Sequence, residues 1–351
     1  MKSPNQSSTR ERPDASLSLD LDNQWSYMKT HADAGWESFP SYLDVLVPRV
    51  LSFLKERGLR ITFFVVGQDA ALDKNREALA QIAPDGHEIG NHSFHHEPWL
   101  HTRAEQEIED ELKSAEEHIE RVTGRRPEGF RGPGFSLSHA TLSVLARRGY
   151  KYDASTFPTF IGPLARAYYF MTAKLTEEER ERRKALFGTV REGLRPVKPF
   201  RWQIDGGGDA SLVEIPVTTM PFFKVPVHVS YLLYLSAFSP SLAVRYFQTA
   251  VRLCKLTKTR PSLLLHPLDF LGRDDSTGPL SFFPGMNLAS EKKLATVGEI
   301  LRIFADEFNI VTVGAHAREA ARDTRLRIIE SKPETTGGRR RLDSANEARP
   351  A

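Results

Sequence analysis

An α/β barrel of alternating strands and helices is the architecture this chain predicts, and three observations carry the prediction. Apolar residues recur at helical spacing in segments that hand over, at a glycine or a polar break, to short apolar runs of strand length. This handover repeats along the chain, and repeated strand–helix units imply a parallel sheet. The residues with chemistry to offer follow the short apolar runs, where a parallel barrel gathers its functional side chains.

The elements can be taken in order. Leu17 and Leu19 alternate with polar residues in a first strand that ends at Asp20-Leu21-Asp22. Between Tyr42 and Arg57, Leu43, Leu46, Val47, Val50, Leu51 and Leu54 keep helical spacing; Gly58 closes that helix, and residues 61–66 read as a buried strand. A helix over 70–82, a strand over 87–91 and a long amphipathic helix over 103–123, closed by Gly124, come next. The rhythm repeats through Phe130, a helix over 140–148 and Tyr152, with later strands at 212–217, 262–266 and 310–313. That makes about seven strands.

A chain of 351 residues with 40% hydrophobic content can bury a substantial core. One large domain over 16–324 suits it better than two equal ones, with an insertion at about 160–208. Residues 1–15 are polar and lack the apolar core of a signal peptide, so they read as a disordered leader; residues 325–351 read as a disordered tail. No run of 18 apolar residues offers a spanning helix, and Cys254 alone makes no intramolecular disulfide. The cytoplasm is therefore the expected location. A formal net charge of +3 without an aromatic-interleaved basic stripe speaks against nucleic acid.

Within the insertion, the Glu- and Arg-rich run at 176–184 reads as a solvated helix face, and the aromatic stretch 165–171 as a lid over the site or a dimer contact. The glycine-rich loop at 205–209 reads as a tight connection. Residues 217–238 are unusually apolar. The segment 242–260, with Arg245, Arg252, Lys255, Lys258 and Arg260 among aliphatic residues, reads as an outer barrel helix or as a peripheral contact with anionic lipid.

Five short segments carry the chemistry: Asp20-Leu21-Asp22, residues 92–96 (His-Ser-Phe-His-His), Phe130-Arg131-Gly132-Pro133-Gly134, Tyr152-Asp153-Ala154-Ser155 and Leu264-Leu265-His266-Pro267. Two imidazoles and one carboxylate make a facial ligand set that leaves positions open on a divalent metal. Such a cation acidifies water and polarises a carbonyl, and hydrolysis then needs a base and an acid. Asp20 and Asp22, two apart on a strand, can share one cavity, although aspartates at a strand end also suit an ordinary turn. His92 and His96 share a face if one helical turn follows Gly90; His95 and His101 are competitors nearby.

In order and spacing these segments resemble the motifs of the NodB-like carbohydrate esterase family, the polysaccharide deacetylases, over about residues 16–315. The resemblance implies a distorted seven-stranded (β/α) barrel. It makes Asp22, His92 and His96 the metal ligands, Asp20 the general base oriented by Arg131, and His266 the acid. Gly134 follows Pro133 where the family usually has an aromatic residue, and its backbone N–H would face the developing oxyanion. Leu21 between the aspartates and Asn23 after them point to the Asp-x-Asp subgroup. The family's Asp-Trp pair is missing, so Asp153 and Asp269 are rival supporters of His266. Trp25, Phe135 and Trp99 are candidates for stacking on a sugar ring. Zinc is the expected metal, and Fe2+ or Co2+ accept the same ligands.

The function implied is metal-dependent removal of an N-acetyl or other N-acyl group from an amino sugar in a saccharide or glycolipid precursor. A second reading keeps the site and replaces the sugar by a small ureide, formamide or cyclic amide. A third is an inactive barrel that binds carbohydrate or protein, against which the full motif set speaks.

Overall fold

Strand β1 (Asp14–Leu21) sets the architecture because its two faces differ. Ala15, Leu17, Leu19 and Leu21 join the main apolar core, whereas Ser16, Ser18 and Asp20 alternate with them and take polar partners. The structure is a computed structural model that describes residues 12–162, 190–205, 211–275, 278–281, 283 and 285–333. The expected lid stretch at 165–171 and the charged run at 176–184 lie outside the described residues.

Around β1 the parallel strands β2 (Thr62–Val65), β3 (Glu88–Asn91), β4 (Gly129–Phe130), β5 (Tyr152–Asp153) and β7 (Ser211–Glu214) follow in that order, with β8 (Ser262–Leu265) on its other side. The ring closes where the chain beyond β7 meets β8: Thr218 N–H donates to Ser262 O at 3.0 Å. Ser262 N–H returns a bond to Thr218 Oγ1 at 2.6 Å. The fold is thus the expected distorted seven-stranded α/β barrel.

Three further strands extend this ring. β6 (Phe200–Ile204) forms an antiparallel pair with β7, β9 (Asn309–Val311) pairs with the start of β1, and β10 (Ile328–Ser331) pairs with β6. Two predicted boundaries move accordingly. Asp14 and Ala15 belong to β1, not to a leader, because β9 gives them a partner. Residues 328–331 belong to the sheet, not to a tail, because β6 does the same.

Helices α2 (Leu43–Lys55), α5 (Glu105–Thr123), α6 (His139–Arg147), α7 (Val229–Phe238), α8 (Pro240–Thr257) and α9 (Ser290–Glu307) cover the ring. Gly124 ends α5 in the left-handed conformation, φ +67°, as the sequence predicts. The helix predicted over 70–82 is broken into α3 (Gly67–Ala71), a 3-10 turn and α4 (Arg76–Ala80). The reason is polar: Asn75 turns inward to hydrogen-bond Asp69, and Leu72 is extended between them. A short helix that the sequence did not suggest, α1 (Gln24–His31), follows β1, with Asn23 as its cap. Helix α10 (Val313–Ala321) meets the barrel end-on, its first N–H groups bonding Thr62 Oγ1 and the Glu88 carboxylate.

Candidate active site

Strand register assembles the site. Leu19 pairs with Leu265, so Asp20 and His266 stand one step further along neighbouring strands. Leu21 pairs with Val65 and Val65 with Asn91, so Asp22 and His92 leave their strands at the same level. Asn91 pairs with Phe130, and Arg131 follows. All five residues therefore meet at the carboxyl ends of parallel strands.

Asp22, His92 and His96 each offer one ligand atom within 4.8 Å of the others, and all three are buried. His96 Nε2 lies 3.0 Å and His92 Nε2 3.3 Å from Asp22 Oδ1. His92 Nδ1 is 2.6 Å from Arg131 O, a contact that fixes the proton on Nδ1, which donates to the carbonyl, and leaves the Nε2 lone pair free to accept. Burial alone would raise the Asp22 carboxyl; the two imidazoles outweigh it and hold Asp22 well below the usual range. Burial would lower the His92 imidazole, yet Asp20 and Asp22 raise it. Two imidazoles and an ionised carboxylate of this spacing fit a divalent cation.

The histidines reach this arrangement by a route the sequence did not indicate. Residues 92–96 form no helical turn; Ser93 (φ +62°) and His96 (φ +51°) adopt left-handed backbone that folds the loop back. Ser93 Oγ accepts from His96 N–H at 3.2 Å, and Asn91 Oδ1 from Ser93 N–H at 2.8 Å. His95 points elsewhere, to Glu111, and His101 to Ser136.

Asp20 accepts from Arg131 Nη1 at 2.6 Å. Ser18 Oγ and Ala154 O hold the same guanidinium, which is fully buried over the Phe64 ring. Arg131 is thus a fixed cation that orients Asp20. His266 is half-buried, with Nδ1 3.1 Å from Ser230 Oγ. Asp269 accepts from the His266 backbone N–H at 2.8 Å and also bonds Ser230, so Ser230 links carboxylate and imidazole. Of the two rival supporters, Asp269 is the one in place.

Two predicted substrate residues are corrected. Asp153 is fully buried and binds Ser155 Oγ at 2.6 Å beside Glu214, which with burial pushes its carboxyl well above the usual range. It reaches the site only through Ser155, whose Oγ accepts from Gly132 N–H at 2.8 Å. Trp25 is buried with its indole N–H on Asp69 at 2.9 Å, so it stacks on no sugar. Pro133 is buried too and shapes the loop. Gly134 is exposed with φ +57°, and Phe135 is half-buried on Phe157, ring centroids 4.7 Å apart. Trp99 is half-buried.

A family model described as polysaccharide deacetylase matches residues 29–152. The Helicobacter pylori peptidoglycan deacetylase is 35% identical over 112 residues, 32% of this chain and 37% of that protein. A Bacillus subtilis peptidoglycan-N-acetylmuramic acid deacetylase is 35% identical over 111 residues, 31% and 41% of the two chains. The Azorhizobium caulinodans chitooligosaccharide deacetylase is 35% identical over 105 residues, 30% and 49%. A solved structure from Mycobacterium smegmatis, described as a candidate polysaccharide deacetylase, superimposes with a TM-score of 0.60 at 20% identity, covering 95% of this chain and 99% of that one.

Over residues 29–152 the chain resembles the polysaccharide deacetylases.

The matched region spans less than half the length of these curated relatives. Within the NodB-like domain the family model covers His92, His96 and Arg131; Asp20, Asp22 and His266 lie outside it and are brought in by the strand register. Sequence reasoning missed Ser230, Tyr27 and His228. The Tyr27 hydroxyl is buried without a partner, and its ionisation is pushed well up by burial and by Asp22. His228 packs edge-on against His266, centroids 5.6 Å apart, and burial with that neighbour keeps it neutral. No local pattern marks these three; each matters through a contact with a distant segment.

Proposed function

We propose that this protein is a metal-dependent deacetylase that removes an N-acetyl group from an amino sugar of a saccharide or glycolipid. The observation that carries the reading is the convergence of the buried Asp22–His92–His96 triad with the Asp20–Arg131 pair, one register step from His266. The names of the peptidoglycan and chitooligosaccharide deacetylases it resembles support an N-acetylated sugar as substrate.

A divalent cation held by the triad, zinc by ligand type, would acidify water and polarise the amide carbonyl. Asp20 takes the proton of the attacking water, and Arg131 keeps its carboxylate aimed. The new C–O bond makes a tetrahedral oxyanion, for which the Gly134 N–H would be the donor. His266, oriented by Ser230, then protonates the nitrogen as the C–N bond breaks, giving acetate and a free amine. Phe135 on Phe157 offers an apolar face for a sugar ring.

The test is acetate release from chitooligosaccharides and peptidoglycan fragments, with metal content read in parallel by elemental analysis. Asp20→Asn should lose at least about a hundredfold in turnover while keeping about one metal per chain. Full activity in that variant would sink the base assignment. Absence of metal from replenished wild-type protein would sink the metal centre.

A further inference from the structure

Between Glu214 and Asp269 the chain has no acidic side chain, while Lys224, Arg245, Arg252, Lys255, Lys258 and Arg260 all lie there. With 45 acidic residues in the whole chain, about seven would fall in a stretch of this length by chance. The same stretch holds most of the large apolar side chains that stand exposed among the described residues. Phe222 and Phe223 are 72% and 65% exposed, Phe238 72%, and Tyr231, Tyr234 and Leu242 also face solvent.

These residues are linked. Phe222 and Phe223 form the tip of a turn closed by the Thr219–Pro226 bridge, and the Tyr246 hydroxyl on α8 donates to Pro226 O at 2.7 Å. Phe222 holds φ +69°, a left-handed backbone unusual for a bulky residue at an exposed tip. Helix α7 starts beside the site, where Ser230 touches His266. From there Tyr231 packs edge-on against His228 at 4.6 Å, and Tyr234 against Phe238 at 5.1 Å. Phe238 and Leu242 flank Ser239, the link to α8, and Arg245 lies one turn beyond Leu242.

Three of these six cations have partners. Lys255 pairs with Glu307, Arg260 with Glu319, and Lys224 with the carbonyls of Gly193 and Arg195. Arg245 and Arg252 stand exposed, three and ten residues after Leu242 on one stripe of α8, and no ion pair engages them among the described residues. Exposed aromatic residues and unpaired arginines on a stretch that carries no carboxylate of its own complement an apolar layer under negative headgroups. A symmetric contact with a second copy would instead set Arg245 and Arg252 against their own copies.

We propose that the Phe222–Phe223 turn and the outer face of α7 dock on an anionic phospholipid bilayer, with Arg245 and Arg252 at headgroup level. This contact would hold the His266 side of the site near the membrane surface. The corollary, that the amino sugar is carried on a lipid, rests on the deacetylase reading; the bilayer contact does not.

The experiment is flotation of the full chain with phosphatidylcholine vesicles, with and without phosphatidylglycerol, at low and high salt and without substrate. Wild-type protein should float with the anionic vesicles, less at high salt, and not with the neutral ones. Phe222→Ser/Phe223→Ser should weaken flotation at least about tenfold, since two buried aromatic side chains are lost. Arg245→Glu/Arg252→Glu should weaken it by a similar factor. Both variants should keep wild-type circular dichroism and wild-type activity on soluble chitooligosaccharides.

Three results would overturn the proposal: no flotation with anionic vesicles, equal flotation with neutral ones, or flotation undiminished in both variants. A wild-type dimer in sedimentation velocity that the serine variant dissolves would assign the face to a second copy instead. Since binding is read without substrate, an inactive enzyme that still floats would count against the deacetylase reading alone.

Discussion

Asp69 accepts at one oxygen from Asn23, Trp25 and Asn75, at 2.7, 2.9 and 3.0 Å, while its other oxygen is buried without a partner. Asn23 follows Asp22 directly and caps α1, so this carboxylate anchors the turn that presents Asp22. Burial pushes Asp69 up to about 7, against the pull of Asn23 and Trp25. Its folded value lies above its unfolded one of about 4, so the stability it contributes is full below about pH 4 and is lost as pH rises through about 7. The loss approaches about 4 kcal/mol for a shift of that size. Asp69→Asn keeps an acceptor for the three donors and removes the ionisation. Urea denaturation from about pH 5 to pH 8 should show wild-type stability falling relative to the variant; parallel curves would refute the assignment.

Helices α5 and α6 show how elements are fixed relative to one another. Arg148, at the end of α6, places Nε and Nη2 each 2.8 Å from the two oxygens of Glu116, a buried carboxylate on α5. Arg126 adds a weaker contact at 3.3 Å. The amphipathic pattern of α5 predicted which face turns inward but not that a glutamate would sit on it. Arg148→Met should cost about 3–5 kcal/mol, because Glu116 then stays buried with little compensation. Adding Glu116→Leu should restore most of the loss. A double variant no more stable than the single one, by chemical denaturation, would mean that the pair is not what ties the helices. The close approach of α3 to α5 needs Gly67, where a Cβ would meet Ala115 Cα at 2.7 Å.

At the scale of the whole molecule, the Asp22–His92–His96 cluster joins the end of β1 to the loop after β3, so the proposed cation, binding only the folded chain, would stabilise the barrel as a unit. At a free metal concentration about a hundredfold above Kd this adds about 2.7 kcal/mol. Chelation should therefore lower the Tm of wild-type protein by about 5 °C or more. Asp22→Asn should start lower and respond little. An equal shift in both proteins would place the stabilising metal elsewhere.

The order of strands and helices, and the candidacy of Asp20, Asp22, His92, His96, Arg131 and His266, which the fold gathers at one end of the barrel, were legible because each depends on local information. Period-2 and period-3.6 patterns report which face is buried, and short motifs report chemistry at fixed spacing. The fates of Asp153 and Trp25, the break between α3 and α4, and the service of Ser230 to His266 were not legible. They depend on side chains contributed by segments far apart in sequence: Glu214 beside Asp153, Asp69 under Trp25, and Asp269 behind Ser230. The sequence by itself determined a parallel α/β barrel with carboxylates and imidazoles at its strand ends, since hydrophobic period and residue type act over a few neighbours. Only the tertiary structure decided which carboxylates face the site and which are sealed in the core, because burial and hydrogen-bond partners exist only once the strands are in register.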